Sequence, residues 1–292
     1  MRAGTPSRTA AWVAAARGMA SQLPPEARLA EDPYGTAFED GARPRLQKLL
    51  DRAGIAVHKF PFVTPWILYM QVRTRVIDDA VRAFVASGGR QLVLLGAGYD
   101  TRALRMPELA DTYVFEIDHP ATQAHKRTVL DRLGADSPSR YIVWDFEARA
   151  LDELPGALAD AGHDRAAATL TIWEGVTMYL TESAIDASLR AIRAWSAPST
   201  SRLAMSYFAR ARLDRPSLPS RVIQAIVSRV GEPWKWGWQP DALPGYLGAR
   251  GWGLDDDSTM TDSARALLPA DLARRVSSPD QRIALATAVD PR

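Results

Sequence analysis

The strongest constraint on this chain's fold is the rhythm of residues 91–207, where short aliphatic, β-branched or aromatic runs alternate with stretches of helix length. The runs fall at 92–95, 112–117, 141–144, 168–173 and 201–207, with helical spacing at 183–194 between the last two. Strands joined by connections this long pair in parallel, each connection returning a helix over a face of the sheet. The predicted class is α/β, a doubly wound and mostly parallel sheet. A last apolar run at 283–289, after the Pro279-Asp280 break, is predicted as an edge strand.

Residues 1–90 have a different pattern. The N-terminus places Arg2 and Arg8 before a run of small residues, but Arg17 interrupts that run, so an amphipathic helix is predicted rather than a leader peptide. Residues 23–38 carry the Pro and Asp-Pro punctuation of a connector. Helices are predicted at 46–55 and 76–86, the second with Val76, Ile77, Ala80, Val81, Phe84 and Val85 on one face. Between 209 and 247 the alternation stops, and a helical stretch at 219–230 leads into "GEPWKWGWQPDALPGYL". The predicted organisation is therefore a helical N-terminal cap over 1–90 and a core over 91–292, with a lid-like insertion at about 209–247.

Charge narrows the function classes. Thirty-six basic and 34 acidic side chains leave +2, too little for a surface that tracks phosphates, so nucleic acid is not a predicted partner. There is no cysteine, hence no disulfide and no thiolate nucleophile or ligand. No apolar stretch approaches the ~18 residues of a membrane span; a cytoplasmic protein is expected.

The first run ends in Gly96-Ala97-Gly98 and a helix-compatible segment. Glycines there let a ligand approach the backbone, and helix-start amides attract negative charge. A dinucleotide fingerprint needs Gly or Ala where this chain has Thr101. Tyr99 and Asp100 would add bulk and negative charge beside a pyrophosphate, so a cofactor without one fits better. The second run ends in "VFEID", placing Glu116 and Asp118 at the distance after Gly98 usual for a carboxylate that holds ribose hydroxyls. The third supplies "VWDFEA", where Asp145 can accept from an adenine amino group and Phe146 can pack on the ring. The fourth supplies "TIWEGVTMYL", whose Glu174 needs a cation if buried.

Five segments in this order, "RTRVIDDAVRAFV", "LGAGYDTR", "FEIDHP", "WDFEA" and "EGVTMYL", resemble the leucine carboxyl methyltransferase family of S-adenosylmethionine (SAM)-dependent class I methyltransferases, especially its bacterial small-molecule branch. The likeness runs from "RLAEDPYGTAF" to "GARGW". Methyltransferases of this class generally carry an acid two residues before the first glycine; this chain has Leu94, and the family lacks that acid too. The resemblance implies a Rossmann-like, seven-stranded sheet with an antiparallel C-terminal strand, and SAM as cofactor. It implies that Arg73, or Arg75 beside it, pairs the methionine carboxylate, that Gly96, Ala97 and Gly98 pass along the methionine moiety, and that Asp118 holds the ribose. Asp145 and Phe146 would contact adenine, and Glu174 the ammonium group.

Methyl transfer from a sulfonium is an in-line displacement dominated by positioning. A carboxylate acceptor is already ionised at neutral pH, whereas a phenol or alcohol needs a base. His58, His119, His125 and His163 are the only histidines, and none falls at the end of the fourth or fifth strand. The predicted reaction is therefore O-methylation of a small, natural-product-like carboxylic acid, with a phenol or alcohol as the alternative acceptor and no catalytic residue singled out. Trp234, Trp236 and Trp238 could line an acceptor pocket or simply pack the insertion on the sheet. Asp255, Asp256 and Asp257 are predicted as a solvated turn, and no metal site is expected. A nicotinamide oxidoreductase and a non-catalytic SAM-binding protein stay open; the oligomeric state is not legible.

Overall fold

A computed structural model describes residues 4–39, 63–229 and 231–289. The predicted helix at 46–55 lies outside the described residues. Seven strands form one sheet: β1 (Gln91–Leu95), β2 (Tyr113–Asp118), β3 (Arg140–Val143), β4 (Thr169–Trp173), β5 (Arg202–Phe208), β6 (Trp252–Thr259) and β7 (Gln281–Ala288), in the spatial order β3-β2-β1-β4-β5-β7-β6. The first five pair in parallel, and β7 runs antiparallel to both its neighbours. The order reverses between β1 and β4, so a crevice opens beyond their carboxyl ends.

Strand periodicity divides the core into two layers. Leu92 and Leu94 of β1 face Ile67, Leu68, Val72, Ile77 and Val81 of helix α2 (Thr64–Ala86). Val93 and Leu95 face the opposite cluster, with Leu154 and Leu158 of α4 (Leu154–Asp160) and Ile185, Leu189, Ile192 and Trp195 of α5 (Glu182–Trp195). Between β2 and β3, α3 (Pro120–Arg132) is capped by His119, whose Nδ1 accepts from the Ala121 amide at 3.2 Å. Helix α1 (Arg8–Gly18) lies over the β1 turn, and α6 (Ala211–Asp214), α7 (Leu218–Arg229) and α8 (Leu243–Gly248) follow β5.

Several elements differ from the sequence reading. The 283–289 run is no edge strand, because β7 inserts between β5 and β6. The edge strand at this end of the sheet is β6, which begins at the buried Trp252 and carries Asp255, Asp256 and Asp257, the segment expected to be a turn. An edge strand with one wet face tolerates acids when cross-strand partners meet them. Asp257 takes Arg282 Nε at 3.0 Å and the Tyr207 hydroxyl at 2.8 Å, Asp255 takes Thr287 Oγ1 at 2.6 Å, and Asp256 follows a register shift. Helix α2 starts at Thr64 rather than 76, because Gln71 and Arg73, which interrupt its apolar pattern, are buried with partners. It shares a core cluster with β1 and β4, so the lead-in is built into the sheet's own packing. No described helix is long and apolar enough to cross a membrane.

Candidate active site

The chain leaves β1 through Gly96 (φ 72°) and Gly98 (φ 54°), both in the left-handed region where a side chain is strained. The amides of Gly96 and Ala97 donate to the Ile117 carbonyl at 2.9 and 3.1 Å, pinning the turn to β2. A Cβ on Gly96 would lie 2.6 Å from Val176 Cγ2, and one on Gly98 would lie 3.2 Å from Ala10 Cβ of α1. Arg17 of α1 donates to the Tyr99 carbonyl and pairs with Asp32 at 3.0 Å. The glycine turn is thus roofed by α1 and walled by the loop after β4.

Asp118, at the end of β2, accepts from the Gly98 amide with one oxygen and from the His119 amide with the other. It is 8% exposed, and burial raises its pKa to about 6 against the opposing pull of those two amides. Glu116, the other predicted ribose acid, is buried deeper, with its oxygens on Lys126 Nζ and on Ser139 Oγ at 2.7 Å. The Trp144 amide donates to the Asp118 carbonyl at 2.9 Å, which brings Asp145 beside Asp118. Asp145 accepts from the Glu147 amide at 3.0 Å, and Phe146 is 38% exposed at the surface.

Glu174, just past β4, receives Arg73 Nε at 2.7 Å and Arg102 Nη1 at 3.0 Å. These cations hold its carboxyl below the usual range despite burial. Arg102 is fully enclosed and also meets Asp78 Oδ1 at 2.8 Å and Asp100. The Asp100 carboxyl is lowered to about 2, with Arg102, Arg17 and Lys126 together outweighing its burial. Of the two candidate arginines, Arg75 points outward to Asp79 at 2.8 Å, and Arg73 points inward, beside the Tyr69 ring. Sequence reasoning missed Arg102, Asp78, Lys126 and Tyr69. A weak signal was present in "GYDTRALR", whose acid and two arginines sit in a short turn between buried elements.

Two side chains invoked against a dinucleotide lie elsewhere. Tyr99 stacks on Phe38 with ring centroids 4.7 Å apart, and Asp100 is neutralised by Arg102, so neither crowds the turn. Trp236 and Trp238 pack the insertion on the sheet: Trp238 is buried edge-on against Tyr207 at 5.5 Å, and Trp236 packs on Trp238 at 5.9 Å. Trp234 stands apart from that pair, edge-on to Phe208 at 4.8 Å beyond the end of β5. Neighbouring Tyr179, packed against the Phe208–Trp234 cluster, has its phenol pushed up to about 12 by burial. Of the described histidines, His163 pairs with Thr169 Oγ1 at 2.9 Å, with burial lowering its pKa to about 4. His125 packs on Tyr99, and His58 lies outside the described residues. No cluster of potential metal ligands occurs among the described residues.

The donor set fits SAM. A facing cation and carboxylate, Arg73 and Glu174, complement the zwitterionic methionine end. The two glycines leave room along the backbone, and the Asp118 carboxylate ends the neighbouring strand beside them. The model of the leucine carboxyl methyltransferase family matches residues 10–193. A provisionally named SAM-dependent methyltransferase of Streptomyces avermitilis is 36% identical over 211 residues, covering 72% of this chain and 69% of that protein. One from Frankia alni is 32% identical over 275 residues and 90% of each chain. Among solved structures, a provisionally named methyltransferase from Thermobifida fusca superposes with a TM-score of 0.59 over 99% of this chain and 97% of its own, at 16% identity. A DUF574-family protein of Streptomyces avermitilis gives 0.58 over 87% and 95%, at 18% identity, and both establish the fold alone. The chain belongs to the leucine carboxyl methyltransferase family of SAM-dependent methyltransferases.

Proposed function

We propose that this protein methylates a carboxylate oxygen of a small acid. Arg73 and Glu174 would hold the amino-acid end of SAM, the Gly96-Ala97-Gly98 turn its methionine chain, Asp118 the ribose, and Asp145 with Phe146 the adenine. When bound there, SAM supplies a sulfonium methyl that an acceptor oxygen takes in line, the S–CH3 electron pair returning to sulfur.

The observation that carries the choice of acceptor is the chemistry beyond β4 and β5. The described titratable groups around the Arg73–Glu174 pair are arginines, the carboxylates Asp78 and Asp100, which neighbouring arginines hold below the usual range, and the phenols Tyr69 and Tyr179, whose pKa values burial raises. None is tuned to remove a proton near neutral pH, and a carboxylate needs none removed. Helix α1 and the insertion would keep water from the reacting atoms. Trp236 and Trp238 are assigned to packing, and Trp234 alone to the acceptor side.

Calorimetric titration with SAM, S-adenosylhomocysteine (SAH) and NAD tests the cofactor: micromolar binding of the first two and none of NAD is expected. Incubation with methyl-labelled SAM and a panel of carboxylic acids, phenols and alcohols then tests the acceptor, with base-labile methyl esters expected. Base-stable ethers would favour the phenol or alcohol reading, and binding without turnover across the panel a non-catalytic protein.

A further inference from the structure

Every other deeply buried cation of the site has an acid: Arg17 has Asp32, Arg73 has Glu174, Arg102 has Asp78, Asp100 and Glu174, and Lys126 has Glu116. Arg212 has none. It sits on α6, just after β5, and is 8% exposed. Its guanidinium carbon lies 4.8 Å from the Phe208 ring centroid and 4.9 Å from that of Trp234. Its Nε is buried without a hydrogen-bond partner, and no described residue gives the group an ion pair. Asp280 and the Tyr69 phenol act on it only at a distance, and burial lowers its pKa.

A buried guanidinium without an acid is costly, and an anionic ligand that supplied one would offset that cost. The Phe208 and Trp234 rings that hold Arg212 share one cluster with Met178 and Tyr179, a few residues after Glu174, so Arg212 lies on the side of the sheet ends that carries the Arg73–Glu174 pair. We propose that Arg212 is the specificity-determining residue for the acceptor, a seat for one carboxylate between the Phe208 and Trp234 rings. This rests on the reading of the site as a methyltransferase for small acids. Esterification would turn the anion into a neutral ester with no proton to remove, so the product would lose its ion pair with Arg212 and leave.

The test uses benzoate, 3-phenylpropionate and octanoate, each against its primary amide, titrated calorimetrically into SAH-saturated protein. The wild type is expected to bind at least one acid tenfold or more tighter than its amide. Arg212→Met should bring that acid down to its amide's affinity, Arg212→Lys should keep part of the preference, and SAH affinity should be unchanged in both. Because the Met variant removes an uncompensated buried charge, its Tm should be no lower than that of the wild type. A purely structural role for Arg212 on its two rings predicts a lower Tm and an unchanged acid preference.

Equal binding of acids and amides by the wild type, or undiminished acid binding by the Met variant, overturns the proposal. Should the Met variant fail to fold, the wild-type comparison and the Lys variant decide. Product analysis separates this proposal from the reading beneath it. Base-labile esters formed equally by the Met variant would sink the Arg212 seat and leave carboxyl methylation standing. Arg212-dependent binding of a hydroxy acid such as salicylate, methylated only on its hydroxyl, would do the reverse.

Discussion

At the residue scale the site depends on carboxylates whose charge is set by their surroundings. Asp118 is raised to about 6 by burial, so it is ionised at neutral pH and becomes protonated only about one unit below. As an anion it can accept from two ribose hydroxyls while retaining the Gly98 and His119 amides, and protonation removes that capacity. SAH affinity is expected to hold above about pH 6 and to fall towards tenfold per pH unit below it. Asp118→Asn should flatten that dependence; calorimetry from pH 5 to 8 checks both. Asp118→Ala removes charged hydrogen bonds worth roughly 1.5 to 3 kcal/mol and should weaken SAM about 10- to 100-fold. Unchanged affinity would take Asp118 out of the site. Asp118 was legible because the offset from a glycine turn to the next strand's end is set by strand and helix lengths. Arg102 was not, because an arginine in a short turn looks solvated until four elements close around it.

At the element scale, α1 does more than lead into the sheet. Its start is tied to the insertion through Glu232, which accepts from Ser7 Oγ at 3.1 Å and from Thr9 Oγ1, and its Ala10 sits over Gly98. A ligand at the glycine turn would therefore lie beneath an element held partly by one glutamate. Glu232→Ala removes bonds worth about 1 kcal/mol net. Amide exchange in residues 8–18 is expected to quicken about fivefold through local opening, with little change in β1. Unaltered exchange in α1 would show that Arg17 and Asp32 hold the helix alone. Nothing in the spacing of Ser7, Thr9 and Glu232 announces this contact, since the partners are more than 220 residues apart. The contact also changes what Gly98→Val would report. With positive φ and Ala10 overhead, that substitution strains the turn as well as filling the ligand's path, so Asp118 is the cleaner probe.

At the scale of the whole molecule, the candidate cofactor site joins β1, β2 and β4 to α1 and α2, so occupancy should stabilise the entire fold. SAH at a hundred times its Kd should add about 2.7 kcal/mol and raise Tm by roughly 5 to 10 °C, with NAD producing no shift. A thermal melt of the full chain with each ligand checks this, and a shift with NAD alone would overturn the cofactor assignment.

The alternation of strands and helices, the glycine turn and the Asp118 offset were determined by the sequence alone. They depend on periodicity and on lengths along the chain, which local physics sets. The position of β7, the pairing of β6, the inward placement of Arg73 on Glu174 and the outward one of Arg75 on Asp79, the burial of Arg102 and the isolation of Arg212 among the described residues were decided only by the tertiary structure. Each depends on which distant groups share one low-dielectric space: an acid-rich segment becomes a strand when Arg282 and Thr287 meet it, and a buried arginine becomes a candidate ligand seat when no acid does.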